Sequence, residues 1–213
     1  MMKKITVTLL ALTMIVTMSI TAMAAGFTPS IEGKEAPKTV SVTNAAGETV
    51  AAIIYDANGK EVASIPVGAL TVTPVSAAQQ ADAAIKNSLT AAYDQLNSTA
   101  LDTIVPELGK AVQNYSAEMT IEDLVVRDLF DVSLDEAAMQ QFRESGNTIK
   151  IQFDVNLPSD TLLLVLHNIE GTSWELISDE KVVRNGDGSV TVEFDSLSPI
   201  AFLTDGGSIA VDP

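Results

Sequence analysis

Across residues 148–157 apolar and polar positions alternate without a break, Ile149, Ile151, Phe153, Val155 and Leu157 against Lys150, Gln152, Asp154 and Asn156. In an extended chain successive side chains point to opposite faces, so this stretch predicts a strand with one face on a core and the other in water. Residues 162–166 are apolar throughout, the pattern of a central strand covered on both sides. Short strands are expected again at 174–177, 181–184, 190–194 and 200–203. Turns at Glu170-Gly171, Asn185-Gly-Asp-Gly188 and residues 196–199 separate them. Strands this short and this closely spaced indicate a sandwich or open barrel.

The first half of the chain has two textures. Residues 39–43, 49–55, 60–67 and 70–75 read as strands, joined by Asn44-Ala-Ala-Gly47 and Asp56-Ala-Asn-Gly59, where Gly or Asn can take the positive φ of a tight reversal. They predict an antiparallel meander, with Pro66 and Pro74 at strand ends or on an edge because each lacks a ladder donor. From Ser76 the period changes. Ala78, Ala81, Ile85, Leu89, Ala92 and Leu96 recur at three- and four-residue steps, which predicts a helix opened by a capping box of Ser76 and Gln79. A second stripe, Leu101, Ile104, Leu108, Ala111, Val112 and Tyr115, predicts another helix that either kinks or begins at Pro106. Extended character returns over 124–132, and Ser133 with Glu136 is spaced to open a short helix that Gly146 can close.

The expected fold class is therefore α+β: an N-terminal antiparallel β meander, a helical pair, and a C-terminal β-sandwich or open barrel. The corresponding segments are 1–25 as a signal peptide, 26–75 as the meander region, 76–120 as the helical region and 121–213 as the sandwich-like domain. Lys3 and Lys4, an apolar run over 5–20, and Ala22-Met23-Ala24 have the order of an export signal with its small-x-small cleavage site. The alternative is an uncleaved anchor, against which the Ser and Thr within the run and its Ala-rich end both count.

Composition narrows the partners. The chain has 213 residues, 46 % of them hydrophobic, and no cysteine, so an exported form is held by burial and hydrogen bonds without disulfides or a lipidated Cys. Its formal charge is −16, and a field of that sign repels nucleic-acid phosphate and anionic lipid headgroups. The acids are expected on the surface, where they keep the protein soluble.

Val165-Leu-His-Asn168, Ser173-Trp-Glu175 and the run from Asn185-Gly-Asp-Gly-Ser-Val-Thr-Val-Glu-Phe-Asp to Ser196-Leu-Ser-Pro-Ile-Ala-Phe202 lie within residues 161–204. This region resembles the terminal β module of uncharacterised exported and cell-surface proteins of clostridia-like Gram-positive bacteria. The resemblance implies a secreted or envelope-associated protein. It carries no catalytic residues. In that group the module often precedes a wall anchor, and none is expected here.

Candidate chemistry is sparse. His167 is the only histidine, so every imidazole-dependent scheme falls on one residue at the end of an apolar strand, where closing the strand with one hydrogen bond is the simpler role. Gly171-Thr-Ser-Trp-Glu175 lacks the second Gly of a nucleophile elbow. A closed tetrahedral zinc site would have to be mostly carboxylate. Asp128, Asp131, Asp135 and Glu136 are the weak candidates for calcium, and they are also the acids a glycan hydrolase would draw on. Trp174 reads as a core filler, and Tyr55, Tyr93 and Tyr115 are too dispersed to predict a sugar platform. The expectation is a secreted, non-catalytic binding or accessory protein with no cofactor, whose partner is an extracellular protein or glycan. A carboxylate-dependent glycan hydrolase and a structural subunit of a surface polymer are the alternatives.

Overall fold

The computed structural model describes residues 28–31, 36–143, 146–158, 160–169 and 171–206. The expected signal peptide, residues 1–25, lies outside them. In chain order the first strands are β1 (Lys38–Val40), β2 (Val42–Thr43), β3 (Thr49–Val50), β4 (Ala52–Tyr55), β5 (Glu61–Ile65) and β6 (Leu70–Pro74). Helices α1 (Ala83–Ser98), α2 (Leu101–Ile104) and α3 (Leu108–Tyr115) follow, then β7 (Val125–Leu134) and α4 (Glu136–Phe142). The chain continues through β8 (Thr148–Asp154), β9 (Leu163–Ile169), β10 (Ser173–Leu176), β11 (Val182–Arg184), β12 (Ser189–Phe194) and β13 (Ile200–Thr204). The fold is α+β, and the paired strands within its sheets are antiparallel.

The strands form two main sheets. One runs β11-β12-β8-β4-β5, with β1 beside the far half of β8, and the other runs β10-β9-β13-β7-β6. The alternation predicted over 148–157 decides how they meet. Ile149, Ile151 and Phe153 are fully buried on one face of β8, and there they join Phe130, Val165, Ile200 and Phe202 from the second sheet in one core. Phe153 stands 5.5 Å from both Phe130 and Phe202 by ring centroid. Phe130 and Phe202 pack edge to face at 5.1 Å, a geometry that adds quadrupole attraction to area burial.

The second sheet is covered on its other face by helices. Leu129, Leu164, Leu166, Ala201 and Leu203 pack there with Ala92, Leu96, Leu101, Leu108 and Val112. The apolar run at 162–166 is thus β9, flanked by β10 and β13 with a core on each face, as its pattern predicts. A register shift lets β7 serve both cores. Phe202 pairs with Asp128 while Leu203 pairs with Val126, so Arg127 is the extra residue of a bulge.

The strands of 26–75 do not form a layer of their own. Hairpins β2–β3 and β4–β5 follow the expected meander, the second turning at Asp56, whose carboxylate accepts from the backbone N–H of Asn58 and of Lys60 at 2.9 Å. Gly59 in that turn has φ +74°, which a side chain would oppose. From there β4 pairs with β8 and β6 pairs with β7, so N-terminal strands complete both sheets of the C-terminal segment.

Two helix starts differ from expectation. Residues 75–80 form a 3₁₀ turn, and α1 begins at Ala83 under Asp82, whose Oδ1 accepts from the N–H of Ala84 and Ile85 at 3.1 Å. Likewise Ser133 stays in β7, and Asp135 caps α4 by accepting from the N–H of Ala138 at 2.8 Å. In both cases an Asp just upstream of the helix supplies the stronger cap, a carboxylate oxygen in place of a hydroxyl. At Pro106 the second helical stretch breaks in two, α2 ending at Ile104 and α3 starting at Leu108. No helix among the described residues is long and apolar enough to cross a membrane.

Candidate functional site

Strand β10 is shorter than its neighbour. It pairs with β9 from Leu166 to Ile169, the N–H of Ile177 adds one more bond to the Val165 carbonyl at 2.9 Å, and from there the chain turns away through a 3₁₀ turn at Asp179–Lys181 into β11 of the other sheet. The first residues of β9, Leu163 and Leu164, are left without a β10 partner on the side opposite β13. A groove of about 620 Å³ lies there, between α3 and the segment that leads from β10 to β11. Leu162, Leu164, Leu176 and Ala111 contribute aliphatic lining, while Glu107, Asn114, Asp179 and Arg184 bring polar groups to it.

Both ends of this groove grip the same turn. Tyr115 at the end of α3 donates its hydroxyl to the carbonyl of Asp160, and Arg184 of β11 donates Nη2 to the carbonyl of Thr161 at 2.5 Å and Nη1 to that of Pro158 at 3.4 Å. These contacts hold Pro158, Asp160 and Thr161 at the groove wall. Apolar lining with convergent polar groups is the usual make-up of a binding concavity.

The acids singled out in the sequence do not gather. Asp128 and Asp131 lie on opposite faces of β7, Asp135 caps α4, and Glu136 is exposed in its first turn. Asp128 and Asp131 also depart from the expected surface position, being only 8 % and 6 % exposed. Burial pushes the Asp128 carboxyl up to about 6, against the opposing pull of Arg127, whose Nε is 3.7 Å from Oδ2. Burial likewise raises Asp131 to about 6, with the nearby Asp82 charge adding to it. Both sit in β7 because the strand is apolar on each face, so a polar residue there is enclosed whichever way it points. The acids on the groove are Glu107 and Asp179 instead.

His167 makes two hydrogen bonds where one was expected. Its ring, fully buried on the sandwich face of β9, has Nδ1 at 2.9 Å from Glu175 Oε1 and Nε2 at 2.7 Å from Ser198 Oγ. Ser, His and Glu in this order have the outline of a nucleophile triad, yet the hydrogen count opposes that use. Asn168 N–H donates to the carbonyl of Pro199 at 2.8 Å, and a proline has no N–H to return. The Ser198 hydroxyl donates to the Asn168 carbonyl in its place. Its one hydrogen is therefore committed away from His167, and Nε2–H donates to Ser198 Oγ.

On the opposite face of β9 and β10, Gln95 of α1 ties the hairpin to the helices. Its Nε2 donates to the Gly171 carbonyl at 3.1 Å, while its Oε1 accepts from Asn168 Nδ2 at 3.0 Å and from Trp174 Nε1 at 2.9 Å. Trp174 is 6 % exposed and belongs to the helix-covered core. Glu175, Ser198 and Gln95 carry no signature of their own in the sequence. Glu175 was within reach of it, because a hairpin centred on Gly171 puts residues of equal separation opposite each other, and 167 then faces 175. Comparison with protein-family models, with curated proteins and with solved structures finds no match to this chain.

Proposed function

We propose that this is an exported, non-catalytic binding module of the extracellular or cell-envelope space, and that the groove beside β9 takes an extended segment of a partner protein. The groove carries this reading. A glycan site presents aromatic faces to sugar rings, whereas the lining here is aliphatic, with Tyr115 as its one aromatic and its hydroxyl engaged by Asp160. An extended peptide suits it better, because the flank of β9 left bare beyond Val165 gives the main chain of Leu163 room to pair and the leucines offer apolar contact. With −16 of formal charge on the chain and with Glu107 and Asp179 on the groove, a basic, apolar-anchored segment fits best. Export rests on Lys3, Lys4, the apolar run and Ala22-Met23-Ala24.

Arrays of extracellular peptides and glycans probed with the mature protein test the proposal. Basic peptides with an apolar anchor are expected to bind saturably, and Ala111→Arg, which fills the groove from a half-buried position on α3, should weaken them at least tenfold. Glycan binding without peptide binding, or binding that Ala111→Arg leaves untouched, contradicts it. A second reading, assembly through sheet edges, is favoured by Val62 on β5 and Val183 on β11, both exposed on edge strands. Sedimentation showing growth of oligomers with concentration would move the weight to that reading.

A further inference from the structure

We propose that His167 Nδ1, Glu175 and Asp195 form a binding site for a divalent transition-metal ion of the zinc class at the open end of the sandwich. One ligand atom from each of the three lies within 4.8 Å of the other two. They come from different sheets, since His167 and Glu175 face each other across β9 and β10 while Asp195 directly follows β12.

Because Pro199 cannot donate to the Asn168 carbonyl, the Ser198 hydroxyl does so, and the His167 Nε2–H donates to Ser198 Oγ. In the neutral ring the lone pair is then on Nδ1, which faces a carboxylate oxygen of Glu175 at 2.9 Å. Two acceptors at that distance need a cation between or beside them, either a proton or a metal ion. The remaining geometry suits the metal. Zinc ligands sit about 2.0–2.2 Å from the ion and therefore roughly 3–3.5 Å from each other. The His167–Glu175 pair, at 2.9 Å, needs only a small opening to reach that separation. Asp195, with a side chain 57 % exposed, has the freedom to rotate its carboxylate in.

The surroundings match what a metal-bound imidazole uses. Such a ring donates its other N–H to a fixed acceptor, which sets the tautomer, and Ser198 is that acceptor, held in turn by the Asn168 backbone. His167 is fully buried and packs 6.0 Å from the Phe194 ring, so it cannot swing away. Lys181 Nζ lies 3.3 Å from Asp195 Oδ2. That pair is partly exposed and easily exchanged, leaving the other carboxylate oxygen for the ion. One nitrogen and two carboxylates with a fourth position for water make an open site, mostly carboxylate as a chain with no Cys and one His requires. Its effect is to join the edge of one sheet to the end of the other.

Zn²⁺ titration of the tag-free mature protein, first stripped with chelator, tests this. One saturable site per chain is expected by calorimetry, weakened at least tenfold in Glu175→Gln and in Asp195→Asn but not in the control Asp102→Asn, an exposed acid on α2. Far-ultraviolet circular dichroism verifies that the variants fold. Since His167 is the only histidine, its ring ¹⁵N resonances read the site without any variant, and Zn²⁺ should move Nδ1 far more than Nε2. Absence of a saturable site, a site indifferent to both substitutions, or unmoved His167 resonances would each overturn the proposal.

Discussion

Asp128 and Asp131 give the protein a pH dependence whose sign can be worked out. Each carboxyl is raised to about 6 in the folded state, chiefly by burial, from the 3.8 of a free aspartate. As pH rises from about 4 to 6 the unfolded chain ionises these groups while the folded chain still holds their protons, so stability falls across that window and the loss is complete above it. Asp128→Asn is isosteric and removes the charge that burial penalises, giving up only the contact of Oδ2 with Arg127 Nε at 3.7 Å. It should stabilise the protein by about 2 kcal/mol at pH 7.5 and leave it nearly unchanged at pH 4. Urea unfolding at the two pH values measures this. A second residue, Gln95, works in the opposite direction. Gln95→Leu strands the donors of Asn168 and Trp174, at about 2–4 kcal/mol for the two. Emission from Trp174, the only tryptophan, reports both the unfolding and the local change. Of these residues the sequence marks only Trp174 as core. The burial of Asp128 and Asp131 is hidden because it depends on helices covering one face of β7 and a second sheet covering the other.

The helices show what local pattern can and cannot reveal. The stripe from Leu89 to Leu96 is legible because periodicity reports a buried face directly, and Leu89, Ala92 and Leu96 are indeed fully buried. The caps are less legible, since Ser76 with Gln79 and Ser133 with Glu136 have valid spacings while Asp82 and Asp135 compete a few residues on. At α4 strand pairing decides the contest, because β7 runs to Leu134, whereas ahead of α1 residues 75–80 close into a 3₁₀ turn and the helix starts only after Asp82. Asp82→Ala removes the cap of α1 and should cost about 1 kcal/mol. The same charge raises Asp131, so in the Asp131→Asn background the cost should be larger. A double-mutant cycle by thermal unfolding at pH 7.5 resolves that coupling.

At the scale of the whole molecule the strand inventory was legible in the sequence, and the pairing between distant strands was not. Alternation in β8 and the all-apolar β9 announce their burial, but nothing local says that β4 lies against β8 or β6 against β7. Those pairings make residues 38–74 part of both sheets. A chain lacking residues 1–75 would expose one flank of β8 and an edge of β7. It should lose its cooperative unfolding transition and the near-ultraviolet signal of Trp174; a truncated chain that keeps both would show that the C-terminal strands hold together alone. The groove follows from the same architecture, because it exists where β10 stops and the chain crosses from one sheet to the other. Hydrogen–deuterium exchange of the mature protein with and without a basic, apolar-anchored peptide tests that assignment most directly. The account predicts slowed exchange in residues 108–115, 162–164 and 176–184, with the β5 edge at 61–65 unchanged. Protection on the β5 edge with the groove unaffected would contradict it.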